Sequence, residues 1–266
     1  MPDLPVDAAP TVLIAPAMAI GSGYYRPLVE EFERRGWQAR ALRRRGFERD
    51  RPRASRDVDW SYADEIADIA AAVSTARASS EGPVILLGHS LGGQLVVGHE
   101  LTQPPVDGVV TVGGAVPFFR HFAYGGAPLA LMAGVVVPVT TSLFGYLPEP
   151  AFGAPGARTL MREWARMVLT GRAPFATAAP ISTPSLIVSL GDDRMSPAGA
   201  VDHLAALFDS SSSTRWHYGG DEVPDGASND HVGWVRTPEV VVAKTITWWQ
   251  NVGSLNYQAQ QRKASQ

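Results

Sequence analysis

Gly82-Pro83-Val84-Ile85-Leu86-Leu87-Gly88-His89-Ser90-Leu91-Gly92-Gly93 is the stretch that decides the fold. Its four consecutive apolar residues, opened by Gly82 and Pro83, read as a short strand buried on both faces. Leu91, Leu95 and Val96 supply apolar positions for a helix that starts at once. Between strand and helix stands Gly88-x-Ser90-x-Gly92, the form of a nucleophile elbow. There a serine takes a strained backbone conformation that lifts its hydroxyl clear of the sheet. A Cβ two residues to either side would clash where strand and helix run so close.

Working outward, short β-branched runs alternate with helical patterns, the signature of a parallel sheet covered on both faces. Strands are expected at residues 11–15, 38–42, 84–87, 109–112, 186–190 and 215–218. Helices are expected at 25–35, ending at Gly36, and at 61–77, where Ser61 and Asp64 have capping-box spacing and Ile66, Ile69, Ala70 and Val73 face the core. Further helices are expected at 91–102, 198–208 and 239–249. The alternation breaks once, between about 115 and 183, where the pattern turns helical and irregular and carries Phe118, Phe119, Phe144, Phe152 and Trp164. The division that follows is a core of 1–114 with 184–252, a helical cap at 115–183, and a tail from 253 to 266 expected to fray.

Composition narrows the classes. The 266 residues are 45% apolar with a formal charge of −3, enough for a core and no reason to expect nucleic acid. Without cysteine, disulfides, thiolate metal sites and a cysteine nucleophile are excluded. The start lacks the basic and apolar regions of a secretory signal, so the cytoplasm is expected. Residues 127–147 are nearly free of charge and long enough to reach across a bilayer. Pro128, Pro138 and Thr140-Thr141-Ser142 interrupt them, so buried or pocket-lining helices are expected and no stable membrane insertion. Residues 34–56 hold ten arginines, which read as a solvated loop rather than a seat for an anionic substrate. Asp221, Glu222, Asp225 and Asp230 do not have calcium-loop spacing, and no metal is expected.

A serine hydroxyl needs a base to take its proton, and that base needs a carboxylate to fix its tautomer. Of six histidines, His89 sits inside the turn, His99 and His203 fall in helices, His121 opens the irregular region and His217 lies in a strand. His231, in Asn229-Asp230-His231-Val232-Gly233, lies in a loop after the last strand, at the carboxyl end of the sheet. The acid comes from Gly191-Asp192-Asp193, in a strand-to-helix loop where Ser196 is the expected N-cap and Pro197 the first helical residue. Asp193 is the first choice and Asp192 the alternative. The oxyanion donors are expected to be the N–H groups of Leu91 and of Met18, with Ala17 in reserve.

On these residues the chain resembles the α/β-hydrolase superfamily over nearly its whole length. It is most similar to a bacterial group of α/β-fold hydrolases sharing Ile14-Ala15-Pro16-Ala17, Tyr25-Arg26-Pro27-Leu28, Gly88-His89-Ser90-Leu91-Gly92-Gly93-Gln94, Phe144-Gly145-Tyr146-Leu147-Pro148, Trp164-Ala165-Arg166, Asp192-Asp193 and His231-Val232-Gly233-Trp234. Where many relatives carry His-Gly, this chain has Pro16-Ala17. The resemblance implies a mostly parallel sheet with helices on both faces, a helical cap, and a Ser90–Asp193–His231 triad acting without a cofactor. The expected reaction is hydrolysis of a small-molecule ester or thioester with an apolar acyl or aromatic part. Acyl transfer, cyclisation or C–C cleavage on the same scaffold, and ligand binding without catalysis, are the rival readings, and a homodimer stays open.

Overall fold

In a computed structural model that describes residues 9–149 and 152–253, the six apolar runs form one parallel sheet. Its strands are β1 (Thr11–Ala15), β2 (Gln38–Ala41), β3 (Val84–His89), β4 (Gly108–Val112), β7 (Ser185–Leu190) and β8 (Ser213–Tyr218), in the order β2-β1-β3-β4-β7-β8. β1, β3, β4 and β7 are buried along their whole length, which is why they carry no polar alternation. Alternate residues serve opposite faces: Leu13, Leu86, Val109 and Ile187 join one core cluster, Val12, Ile14, Ile85, Val110 and Val188 the other.

The first cluster is covered by α2 (Tyr62–Ser79), α3 (Leu91–Thr102) and α7 (Ala198–Ala205), the second by α1 (Arg26–Arg34) and α8 (Glu239–Trp248). Helix boundaries follow local chemistry. Gly36, at φ +83°, lets the chain turn after α1. The capping box Ser61–Asp64 is formed at the start of α2, whose buried face includes Ile66, Ile69, Val73 and Ala76, while Ala70 is only half-buried. α7 starts at Ala198 and ends at Ala205, short of the expected 208; Pro197 rather than Ser196 is its N-cap, and Ser196 gives its N–H to Asp193 Oδ1.

Between β4 and β7 the chain leaves the sheet. This segment contains α4 (Ala127–Leu131), a π-helical turn (Met132–Val136), α5 (Val137–Phe144), the two-stranded pair β5 (Tyr146–Leu147) and β6 (Gly156–Ala157), and α6 (Arg158–Thr170). The small pair is absent from the sequence reading, because two-residue strands leave no periodicity. The segment is tied to the loop before α2: Leu160 N–H donates to Trp60 O, Thr159 to the Asp59 carboxylate, and Tyr62 N–H to Glu163. One expectation fails here. Of residues 127–147, those from 127 to 144 are helical, yet that helix is mostly exposed rather than buried. It packs inward through the small or short side chains of Ala133, Val137 and Thr141, leaving larger ones outside. The expected tail at 253–266 lies outside the described residues apart from Gly253, which closes a π-helical turn.

Candidate active site

The strand order reverses between β1 and β3, since β2 lies on one side of β1 and β3 on the other. Such a switch point opens a crevice at the carboxyl ends of the strands. Ala15 of β1 is paired with Gly88 of β3, so the loop after β1 lies beside the turn after β3. Ser90 occupies that turn at φ 54° and ψ −116°, a conformation that costs a side-chain-bearing residue of order 1–3 kcal/mol. Close contacts leave no room for side chains around it. A Cβ on Gly92 would stand 2.0 Å from Ala15 O, and one on Gly88 2.4 Å from Gly92 O. The glycines flanking the serine are thus a packing requirement.

Three loops converge on the serine. His231 Nε2 lies 2.9 Å from Ser90 Oγ, and His231 Nδ1 lies 2.7 Å from Asp193 Oδ2. Asp193 and His231 are both buried, whereas Asp192 is exposed. The second oxygen of Asp193 accepts the N–H groups of Met195 and Ser196, which fixes the carboxylate plane. A β-bridge between Asp192 and Asp230 joins the acid loop to the histidine loop. The Asp230 carboxylate accepts the N–H groups of Val232 and Gly233, so this aspartate shapes the loop that presents His231.

The other histidines stand elsewhere. His99 pairs with Glu100, His121 with His203 at 3.2 Å, and His217 on the edge strand β8 with Ser189. His89 is fully buried behind the serine. Its Nδ1 lies 2.7 Å from Tyr25 Oη and its Nε2 2.6 Å from the carbonyl of His231. A carbonyl only accepts, so Nε2 carries the proton and Nδ1 accepts from the tyrosine hydroxyl. Burial first, and then the neighbouring His231, push the pKa of His89 down to about 3, so it is a neutral strut.

Tyr25 extends this chain to the other side of the crevice. Its oxygen accepts Ala17 N–H at 2.7 Å, and burial raises its pKa well above the usual phenol range. The Ala17 carbonyl is held by Arg44 Nη1 at 2.7 Å. In a trans peptide that carbonyl and the N–H of Met18 face opposite ways, so anchoring one aims the other. Ala17 N–H is therefore occupied, while no acceptor among the described residues takes Met18 N–H. Leu91 is the first residue of α3, and its N–H has no intrahelical acceptor.

The arginine-rich stretch divides. Arg44 is buried and paired with Glu65 through two contacts of 2.8 and 3.1 Å, with Trp60 Nε1 donating to the same carboxylate. A solvated reading does not hold for this residue, because a desolvated guanidinium needs a carboxylate and a carbonyl to satisfy its fork. Arg43 and Arg45 pair with Asp50 and Asp68 at the surface. Neither Tyr25 nor Arg44 was singled out from the sequence. Tyr25 stands in one of the stretches that carry the resemblance, and Arg44 is one of ten with no local mark.

Comparison with known proteins agrees with this fold. The family described as serine aminopeptidase, S33, matches residues 7–144, just over half of the chain. No curated protein sequence matches it. Among solved structures it is similar to a monoacylglycerol lipase from Paleococcus ferrophilus, at 18% identity and TM-score 0.61, covering 91% of this chain and 97% of that one. It is also similar to a soluble variant of monoglyceride lipase from Saccharomyces cerevisiae, at 13% identity and TM-score 0.64, covering 91% and 86%. A type II thioesterase from the borrelidin biosynthetic cluster matches at 15% identity and TM-score 0.58, covering 92% and 94%. The six-stranded parallel sheet, the serine at its switch point and the family match make this chain an α/β hydrolase of the serine aminopeptidase S33 family.

Proposed function

We propose that the protein hydrolyses carboxylic esters or thioesters with an apolar acyl part, through a Ser90–His231–Asp193 triad. The observation that carries this reading is the unbroken line from Ser90 Oγ through His231 to Asp193, at 2.9 and 2.7 Å. Nδ1–H of His231 donates to Asp193, which leaves Nε2 free to accept the serine proton. Ser90 Oγ attacks the acyl carbon while its proton moves to Nε2. The N–H groups of Leu91 and Met18 stabilise the tetrahedral oxyanion, each worth about 10²–10³ in rate by analogy with other such donors. Collapse expels the alcohol or thiol, which takes the proton from Nε2. Water then gives its proton to the same nitrogen, attacks the acyl-enzyme and releases the acid.

The acyl preference rests on the lining next to the donor loop. A cleft beside Met18, closed in this structure to about 10 Å³, has an apolar wall of Phe47, Trp60, Phe152, Leu160 and Met161. Its one charged neighbour, Arg44, is paired with Glu65, and no carboxylate lines it to receive the ammonium group of an aminopeptidase substrate. The structural relatives named above include lipases and a thioesterase, which agrees with an acyl substrate. We read residues 115–183 as the cap over this cavity, and the cytoplasm as the compartment. Purified protein should turn over p-nitrophenyl acyl esters, and Ser90→Ala should abolish that turnover. Hydrolysis retained in Ser90→Ala at the wild-type rate would refute the proposal.

A further inference from the structure

The helix formed by α4, the π turn and α5 has a second face that the reaction does not use. Within the helical segment Ala123–Phe144 the most apolar 18-residue stretch has a mean hydropathy of 1.8, with only 17% of it buried. Seven of the eight exposed large apolar side chains among the described residues belong to the inserted segment. Leu131, Val135, Val139 and Leu143 recur every four residues, opposite the inward-facing Ala133, Val137 and Thr141. They form a stripe about 18 Å long. Leu169 of α6 is exposed beside it, near Gly134.

What covers this stripe is indicated by its border. From His121 to Pro148 the sequence holds no Asp, Glu, Lys or Arg. Around it stand arginines: Arg56 donates to Leu143 O, Arg162 to the hydroxyls of Thr141 and Ser142, and Arg166 follows one turn along α6. None of the three forms an ion pair among the described residues. The single carboxylate of α6, Glu163, is held by the N–H of Tyr62. An apolar stripe with an unneutralised basic border, on a chain of net charge −3, matches an acyl layer beneath anionic headgroups. A second copy fits less well, since a twofold contact would set one arginine border against the other.

We propose that this face docks on an anionic lipid surface, with the helix lying in the interfacial plane and Leu131, Val135, Val139 and Leu143 entering the acyl boundary. Packing against α6 through Ala133, Val137 and Thr141 keeps the helix part of the folded protein rather than a span. The inference stands apart from the proposed reaction, because its test reads binding and not turnover. The full chain is floated with vesicles of phosphatidylcholine alone or mixed with phosphatidylglycerol. Binding is expected with the mixed vesicles, and Val135→Asp/Val139→Asp should lower partitioning roughly tenfold or more, with the thermal midpoint unchanged because both positions already face solvent. Arg166→Gln should lower it about fivefold on mixed vesicles only. Absence of binding to both vesicle types, or equal binding by the double aspartate variant, overturns the proposal. So does a dimer in sedimentation that the same variant abolishes while vesicles are ignored, an outcome that assigns the face to a second copy.

Discussion

The turn at residues 88–93 and the helix at 127–144 are both rich in small and apolar residues, yet they are built on opposite principles. Around Ser90, backbone meets backbone: an added Cβ would stand 2.0 Å from Ala15 O at Gly92 and 2.7 Å from Gly114 Cα at Gly93. In the inserted helix, a Cβ on Gly134 would find no atom closer than 3.8 Å, on Leu169. The first region spends its small residues on holding one side chain in a strained position. The second leaves its larger side chains outside. A packed turn tolerates no change, whereas an open helix face tolerates many, so the two regions should answer mutation differently.

The largest effect is expected at the convergence of the loops. Asp193→Asn should lower kcat by about 10³–10⁴, because an amide cannot enforce the His231 tautomer, whereas exposed Asp192→Asn should stay within about twofold. Steady-state rates on one acyl ester compare the two directly. Next, Gly92→Ala should cost about 3 kcal/mol or more in urea denaturation, because its methyl group meets the β1 backbone.

A pH dependence follows from the strut behind the serine. His89 is held near pKa 3 in the folded protein, and an unfolded histidine titrates near 6.5. Between these values the unfolded chain binds a proton that the folded one refuses. The contribution of His89 is therefore complete above about pH 6.5 and declines as the pH falls toward 3, by at most about 1.4 kcal/mol per pH unit. Stability curves of wild type and His89→Gln should converge in slope above pH 7 and diverge below it. An identical acid slope in both proteins would remove His89 from this role. The smallest effect is expected from Gly134→Ala, neutral or stabilising by about 0.5 kcal/mol, since the helix has room for a methyl group and gains from a stiffer unfolded chain. A loss comparable to that of Gly92→Ala would erase the contrast between the two regions.

The same contrast explains what could be read from sequence. The elbow was legible because its backbone requirement is written as glycines at fixed spacing after a short apolar run. Ser90, His231 and the acid loop followed from the order of loops along the sheet, with Asp193 preferred to Asp192, and the structure brings Ser90, His231 and Asp193 together. The roles of Tyr25 and Arg44 were illegible: they hold the N–H and the carbonyl of Ala17 from 8 and 27 residues away, and neither the stretch that contains Tyr25 nor the run of arginines around Arg44 points to Ala17. The exposure of residues 127–144 was also hidden. A helix apolar on every side has no polar face to say which way it turns, so its inner and outer stripes look alike until a neighbouring helix is in place.

The central claim is that Ser90 is a nucleophile made reactive by His231. Reaction with a fluorophosphonate, followed by intact mass and peptide mapping, tests it most directly. The account predicts one adduct per chain on the peptide carrying Ser90, formed at least about 10³-fold more slowly in a folded His231→Ala variant. An adduct at another serine, or labelling of Ser90 at the same rate without His231, would contradict it.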